Sequence, residues 1–297
     1  MDRKYELLKD ETIDFYGKTL YRIRATENFN GVTEGEKGGY IESVDNLTDS
    51  AWVTGSAKVC GGATVGGNAV VCDNALVIDH AAVDDEAIVR DSATVCGNAI
   101  VSGYATVRAS ARVAGSARVY CRATVCGEAQ VTGNSEVYGC AQVGSSATVC
   151  GNATVCGNAI VGGNARVGGN ARVGGISIVR GAATLDGNAV VTGAATVSGN
   201  ANVTGKSCVS CDAQVDGNAQ IAVNEDVLTI SLRDYNDNVI TFFKCDDAKI
   251  RVNTGDFGGT IDEFSSAIDQ VDHEDVPAYK LAIQLAKLVI KTEEESK

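Results

Sequence analysis

From Ile41 to Ile221 every sixth residue is aliphatic, and no insertion interrupts the spacing. Of these 31 positions 27 are Val; the others are Ile41, Leu47, Leu185 and Ile221. Two residues before each aliphatic, from Ala51 to Ala219, 29 positions hold 26 Ala and three Ser. Two residues after it comes Gly in most repeats, often followed by Asn, so the unit reads N-A-x-V-x-G, as in Asn164-Ala165-Arg166-Val167-Gly168-Gly169. Such a period matches neither a straight α-helix nor a coiled coil.

A short strand followed by a turn does match it. Within A-x-V the order is small-in, out, large-in, the two-residue alternation of a strand. β-Branched Val suits a buried pleated position, and Gly-Asn supplies the permissive backbone of a corner. Three hexads make a triangular coil of 18 residues, so 31 hexads make a little over ten coils. Composition agrees, because a core of Val and Ala needs few rings and aromatics are only 5% of the chain. The expected fold is an all-β, single-stranded parallel β-helix over residues 38–223. A small β cap over 1–37 precedes it, and an α+β cap with two helices over 224–297 follows.

The caps are read from their own patterns. Strands are expected at Tyr5–Leu8 and Thr19–Ala25 around a turn at Phe15-Tyr16-Gly17-Lys18. Beyond the repeat, Val227–Leu232, Val239–Lys244 and Ala248–Val252 alternate as strands, with turns at Asn236-Asp237 and Asp246-Asp247. Thr260-Ile261-Asp262-Glu263 is a capping box that starts a helix with Phe264 and Ile268 on one face. A second helix follows Pro277, with Leu281, Leu285 and Leu288 as its apolar positions, and frays into Glu293-Glu294-Glu295.

The repeat resembles the left-handed β-helix of the hexapeptide-repeat superfamily, in which a small residue follows the aliphatic by four positions, as Ala171 follows Val167 and Ser177 follows Val173. Gly departs from that pattern, standing mostly second after the aliphatic rather than first. The left hand is implied by the resemblance alone, since general crossover preference is right-handed. The flanks, Gly17-Lys18-Thr19-Leu20-Tyr21-Arg22-Ile23-Arg24-Ala25 with Gly38-Gly39-Tyr40-Ile41-Glu42, and Gly258-Gly259-Thr260-Ile261-Asp262-Glu263-Phe264, resemble phage and prophage proteins labelled polymer-forming cytoskeletal or hexapeptide transferase-like. Those labels follow the repeat and assign no activity to particular residues.

Charge narrows the partners. The net charge is −13, and residues 224–297 contribute 16 acidic against 8 basic side chains. An acidic total disfavours phosphate backbones, which select clustered Lys and Arg. Mimicry of nucleic acid would need acids ranked along a face, whereas the outward positions carry Arg112, Arg118, Arg166 and Arg172. No apolar run is long enough for a membrane-spanning helix, and Met1-Asp2-Arg3-Lys4-Tyr5-Glu6 lacks a signal-peptide core. The expected location is therefore the cytoplasm of a bacterial host.

An enzyme would have to rest on a few particular residues. A hexapeptide acyltransferase using acyl-CoA needs a general base, and the chain has two His. His80 stands where Asn is usual at a corner; His273 lies in an acidic linker. No hexad carries an inserted loop to wall a pocket, which favours a tolerated corner residue over a catalytic His80. Asp73 and Asp91, 18 apart, should stack on one corner as oxygen ligands for a hard cation, yet Asp also suits a left-handed corner. Cys60, Cys72, Cys96, Cys126, Cys150 and Cys156 follow the inward Val, and Cys208-Val209-Ser210-Cys211 lacks a second pair for zinc. Free thiols, and no cofactor, are expected.

The outward x of A-x-V sorts into three rows. The first, Trp52, Val70, Ile88, Thr106, Thr124, Gln142, Ile160, Ile178, Thr196 and Gln214, is the only one without charge. Trp52, Val70, Ile88, Thr106, Ile160 and Ile178 are the candidate interface, because a contiguous apolar patch marks a contact surface. The chain is read as a non-catalytic binding or scaffold protein that self-associates as a trimer or dimer and engages a host or phage macromolecule.

Overall fold

The computed structural model describes residues 3–231, 239–254, 256–272 and 275–291 of the protein, which divides into two compact units, residues 1–158 and 159–297. The architecture is a parallel β-solenoid of about ten turns with three strand rows, preceded by antiparallel strands and followed by a four-stranded sheet and two helices. The turns at Asn236-Asp237, the linker residue His273 and the fraying residues Glu293-Glu294-Glu295 lie outside the described residues.

The first unit begins with strand β1 (Tyr5–Phe15) paired antiparallel to β2 (Lys18–Ala25). Tyr16 and Gly17, with φ of 52° and 75°, form the turn between them, a two-residue connection whose left-handed backbone matches strand twist. β1 is longer than the alternation suggested. A bulge between Leu8 and Thr12 breaks the register and absorbs the polar Lys9-Asp10-Glu11, and bulged strands lose simple period two.

β3 (Lys37–Ile41) converts hairpin into coil. It pairs antiparallel with β2 and, on its other side, parallel with Lys58–Val59. Asn46, 1% exposed, fastens the first corner. Its amide donates to the carbonyls of Gly61 and Ala63 while its oxygen accepts the Ser43 amide.

From there two-residue strands recur every six residues and pair in parallel with the strand 18 residues on: Trp52↔Val70, Lys58↔Leu76, Thr64↔Ala82. Val101 and Val131 are fully buried, as are the Ala that precede them. One amide per strand end reaches across the coils, as Trp52 N donates to the Ala69 carbonyl at 2.9 Å. The corners from Asp49 to Gly217 each close through a left-handed residue. At Gly133 (φ 72°) a Cβ would also lie 2.7 Å from the carbonyl oxygen of Gly151 in the next coil, so both conformation and stacking demand Gly.

In the second unit the same strands run from Ile160 to Ile221 with Val161 fully buried. The Ser that replace Ala satisfy their own hydroxyls: Ser135 in the first unit, and Ser177 and Ser207 here, each donate to the carbonyl three residues back at 2.7 to 2.8 Å. That bond removes the penalty of a buried hydroxyl, which is why Ser is accepted in an Ala slot.

Antiparallel strands Val227–Ser231, Val239–Lys244, Ile250–Asn253 and Gly258–Thr260 then cover the last coil. Gln214 N donates to Thr241 Oγ1 at 2.9 Å, and Ala219 bridges Cys245. Helix α1 (Ile261–Ile268) starts on the expected capping box, with Thr260 Oγ1 accepting from Glu263 N and the Glu263 carboxylate accepting from Thr260 N. Helix α2 (Val276–Val289) has Pro277 in its first turn, where proline lacks no needed donor.

Helix α2 buries its small side. Ala282, Ile283 and Ala286 face the core with Phe242, Val252 and Phe264, whereas Leu281, Leu285 and Leu288 are 66%, 41% and 75% exposed. Val-Pro-Ala-Tyr-Lys-Leu-Ala-Ile-Gln-Leu-Ala-Lys-Leu-Val is apolar on more than one side, and the small Ala side permits closer helix approach. The strand Gly258–Thr260 was not anticipated, because two Gly carry little strand preference.

Candidate functional site

Each outward row is built by the pairing register. In the first unit Trp52, Val70, Ile88, Thr106, Thr124 and Gln142 stand side by side on successive coils, and in the second Ile160, Ile178, Thr196 and Gln214 do the same. Ile88 is 38% and Ile160 39% exposed; Val70, Thr106 and Ile178 are half-buried by their neighbours. The other rows carry charge: Lys58 and Arg112 in one, Arg118 and Glu136 in the next, the latter pair 3.8 Å apart. Ile100 is as exposed as Ile88, but it pairs with Arg118.

Trp52 differs from the rest of its row. It points outward as its register requires, yet is only 3% exposed, because Phe29 packs against it edge-on with ring centroids 5.6 Å apart. A sequence row registers the direction of a side chain, not what another segment lays over it. Its indole Nε1 is buried without a hydrogen-bond partner.

The acidic residues have a structural role that spacing alone did not disclose. Asp73, Asp79, Asp85 and Asp91 all take the left-handed conformation, with φ between 60° and 65°. Each carboxylate accepts the backbone N–H of the residue 18 positions on: Asp91 N to Asp73 at 3.0 Å, Gly97 N to Asp79 at 2.9 Å, Gly103 N to Asp85 at 2.9 Å and Ala109 N to Asp91 at 2.8 Å. Asp73 and Asp91 are therefore stacked as expected, but joined through an amide. Among the described residues, no three His, Cys, Asp or Glu converge as a metal-binding group.

His80 is exposed at its corner, with its ring lying against Gly62 of the preceding coil: a Cβ on Gly62 would meet His80 Cδ2 at 2.8 Å. Its ring makes no hydrogen bond to another described residue. The arrangement lacks the orienting partner that normally fixes a basic imidazole.

All eleven cysteines are unbridged. Burial pushes the Cys60 and Cys96 thiols up, and burial reinforced by neighbouring Asp73 raises Cys72 to about 11. Burial likewise raises Cys245 to about 11. At neutral pH these four are thiols, not the nucleophilic thiolate.

Two features escaped the sequence reading. Tyr120 and Tyr138 stack across adjacent coils, with centroids 5.0 Å apart and planes 11° from parallel, and Arg122 lies over the exposed Tyr104 ring at 5.9 Å. The 18-residue spacing of the two stacked rings was the available signal. Burial and the adjacent Glu136 raise the Tyr120 phenol to about 12. In the second unit an open depression of about 380 Å³ is lined by Asp216, Asn218, Asp246, Arg251 and Gly258. Two of its charges are already engaged: Asn253 donates to Asp216 at 3.2 Å, and Arg251 to Asp247 at 3.3 Å.

No helix among the described residues is long and apolar enough to cross a membrane. Comparison with known proteins finds no family model that matches the chain and no curated protein that matches it.

Proposed function

We propose that the chain is a non-catalytic scaffold protein, a hexapeptide-repeat left-handed β-helix of the phage and prophage kind, that associates with copies of itself through its charge-free row. The observation that carries this reading is the contrast among the rows. In the first unit Ile88 stands 38% exposed beside Val70 and Thr106, and in the second Ile160 stands 39% exposed beside Ile178, with no ionic side chain among them, while the neighbouring rows present Lys, Arg and Glu.

Flat rows of β-branched residues are costly to leave in water and cheap to desolvate against each other, since burial there strands no charge. A second copy offers the same surface, so the contact is self-complementary under a two-fold or a three-fold axis. The assembly would present its charged rows and acidic C-terminal segment to a host or phage macromolecule in the bacterial cytoplasm. An acyltransferase is the alternative, and it rests on His80. Its exposed corner has no base–orienter bond among the described residues, and such a bond is what acyl transfer by a His base uses.

Sedimentation velocity on the wild type and on the double variant Ile88→Asp, Ile160→Asp tests the reading. A multimeric wild type and a monomeric variant support it. The same mass for both rejects the row as the interface.

A further inference from the structure

The first rung of the charge-free row is concealed by the chain itself. Trp52 pairs in register with Val70, so its indole belongs to the same face as Val70, Ile88 and Thr106. Over it lies the segment from Thr26 to Glu36, of which only Phe29 and Val32 are buried. These two residues bond to each other through their backbones and place the Phe29 ring against the indole. The remaining ties to the coils are slight. Asn30 donates to the carbonyls of Ser50 and Asn68 at 3.4 Å each, and Lys4, which bonds Ser50, sits 5.3 Å from the Phe29 ring centre.

The indole N–H is buried with no acceptor among the described residues, and an unmet buried donor loses its hydration. The inner edge of the indole has a permanent seat, since Gly38 has no Cβ to strike Trp52 Cζ2 at 2.8 Å. Opening the segment would thus expose the outer face of the ring without unseating it. The ends of the segment are tied to the N-terminal strands, Thr26 N donating to the Lys4 carbonyl and Gly35 N to the Ala25 carbonyl at 2.9 Å each. Opening would therefore concern the stretch between them, which two apolar side chains and the Asn30 bonds hold to the coils.

We propose that Trp52 is a concealed contact residue of the self-association face, and that residues 26–36 are a cover which a second copy displaces. The inference rests on the self-association reading above and adds its control. A second copy is the fitting occupant because its row is uncharged and offers apolar side chains, Val70 and Ile88, to the outer face of the ring. The apparent affinity of such a face is reduced by the fraction of chains that are closed.

Trp52 is the only tryptophan, so its fluorescence reports on the cover alone. Acrylamide quenching and sedimentation would be measured on the full-length wild type, on Phe29→Ala, which removes the lid contact, and on Asn30→Ala, which removes only its two polar ties. At concentrations where the chains are monomeric, the expected result is quenching that rises in both variants, most in Phe29→Ala, with an unchanged solenoid melting temperature. At higher concentrations association is tighter by about tenfold. Unchanged quenching in both variants beside a multimeric wild type overturns the cover and leaves the face standing. Increased quenching in chains that stay monomeric overturns the face, and with it the contact role of Trp52. Loss of the cooperative melt in Phe29→Ala with no added quenching in Asn30→Ala makes the segment a structural plug and also overturns the proposal.

Discussion

Within the first unit, corners at residues 49, 73, 79, 85 and 91 are Asp, whereas those at 97, 103, 115, 127, 133, 139, 151 and 157 are Gly. Both sets adopt the left-handed backbone, φ 55° to 65° for Asp and 67° to 74° for Gly. Glycine reaches it without strain but contributes nothing else. Aspartate bears the strain of its Cβ and offsets it with a hydrogen bond to the following coil. One backbone requirement is thus met by glycine, by bonded aspartate and, at residues 109, 121 and 145, by Ala, Cys and Ser, and the acidic cluster is understood as coil-to-coil bonding. A ranked set of carboxylates in a repeat should be checked for such bonds before it is read as a ligand set.

Substitution at the glycine corners should give the largest effect. In Gly133→Val a β-branched residue is forced left-handed and its Cβ is driven to 2.7 Å from the Gly151 carbonyl oxygen. A loss of roughly 3 kcal/mol or more is expected, read as a large fall in thermal midpoint; retention of the wild-type midpoint would show that the corner is not confined. Asp79→Ala keeps the strain and removes the bond to Gly97, so a smaller loss of about 1 kcal/mol is expected by chemical denaturation. Asp79→Gly removes strain and bond together, and should differ from wild type by less than about 0.5 kcal/mol. Equal effects of the Ala and Gly variants would break the contrast between the two kinds of corner.

A smaller effect concerns Glu42, which also bonds a corner. Its carboxylate accepts from Lys18 and from the Gly61 amide, and these bonds hold its pKa below the ordinary value of 4.5. A depressed folded pKa contributes stability that is present above the unfolded value and lost as pH falls through the folded one. Glu42→Gln should therefore flatten the decline in melting temperature below pH 4.5 relative to wild type. Parallel pH profiles would remove Glu42 from that account.

The solenoid was legible because its interior is a one-residue rule. Val at every sixth place and Ala two before it leave no other periodic burial, and all 27 of those Val are at most 1% exposed. Thr260 and Glu263 were legible for a similar reason, since a capping box is a local motif with its own bonds. The candidate face was legible only in part. Ile88 and Ile160 project where the register sends them, but Trp52 is covered by Phe29, 23 residues earlier in the chain, and no local pattern announces a contact of that kind. The buried side of α2 was not legible, because an apolar helix surface does not say which side has a neighbour. The Asp corners were half legible: spacing stacked Asp73 over Asp91, while the amide between them required coordinates.

The central claim is association of copies through an uncharged row, and the solution mass of the untagged wild-type chain addresses it most directly. Sedimentation equilibrium over a range of concentrations should return two or three times the chain mass of 30.6 kDa. A mass of 30.6 kDa at every concentration would contradict it.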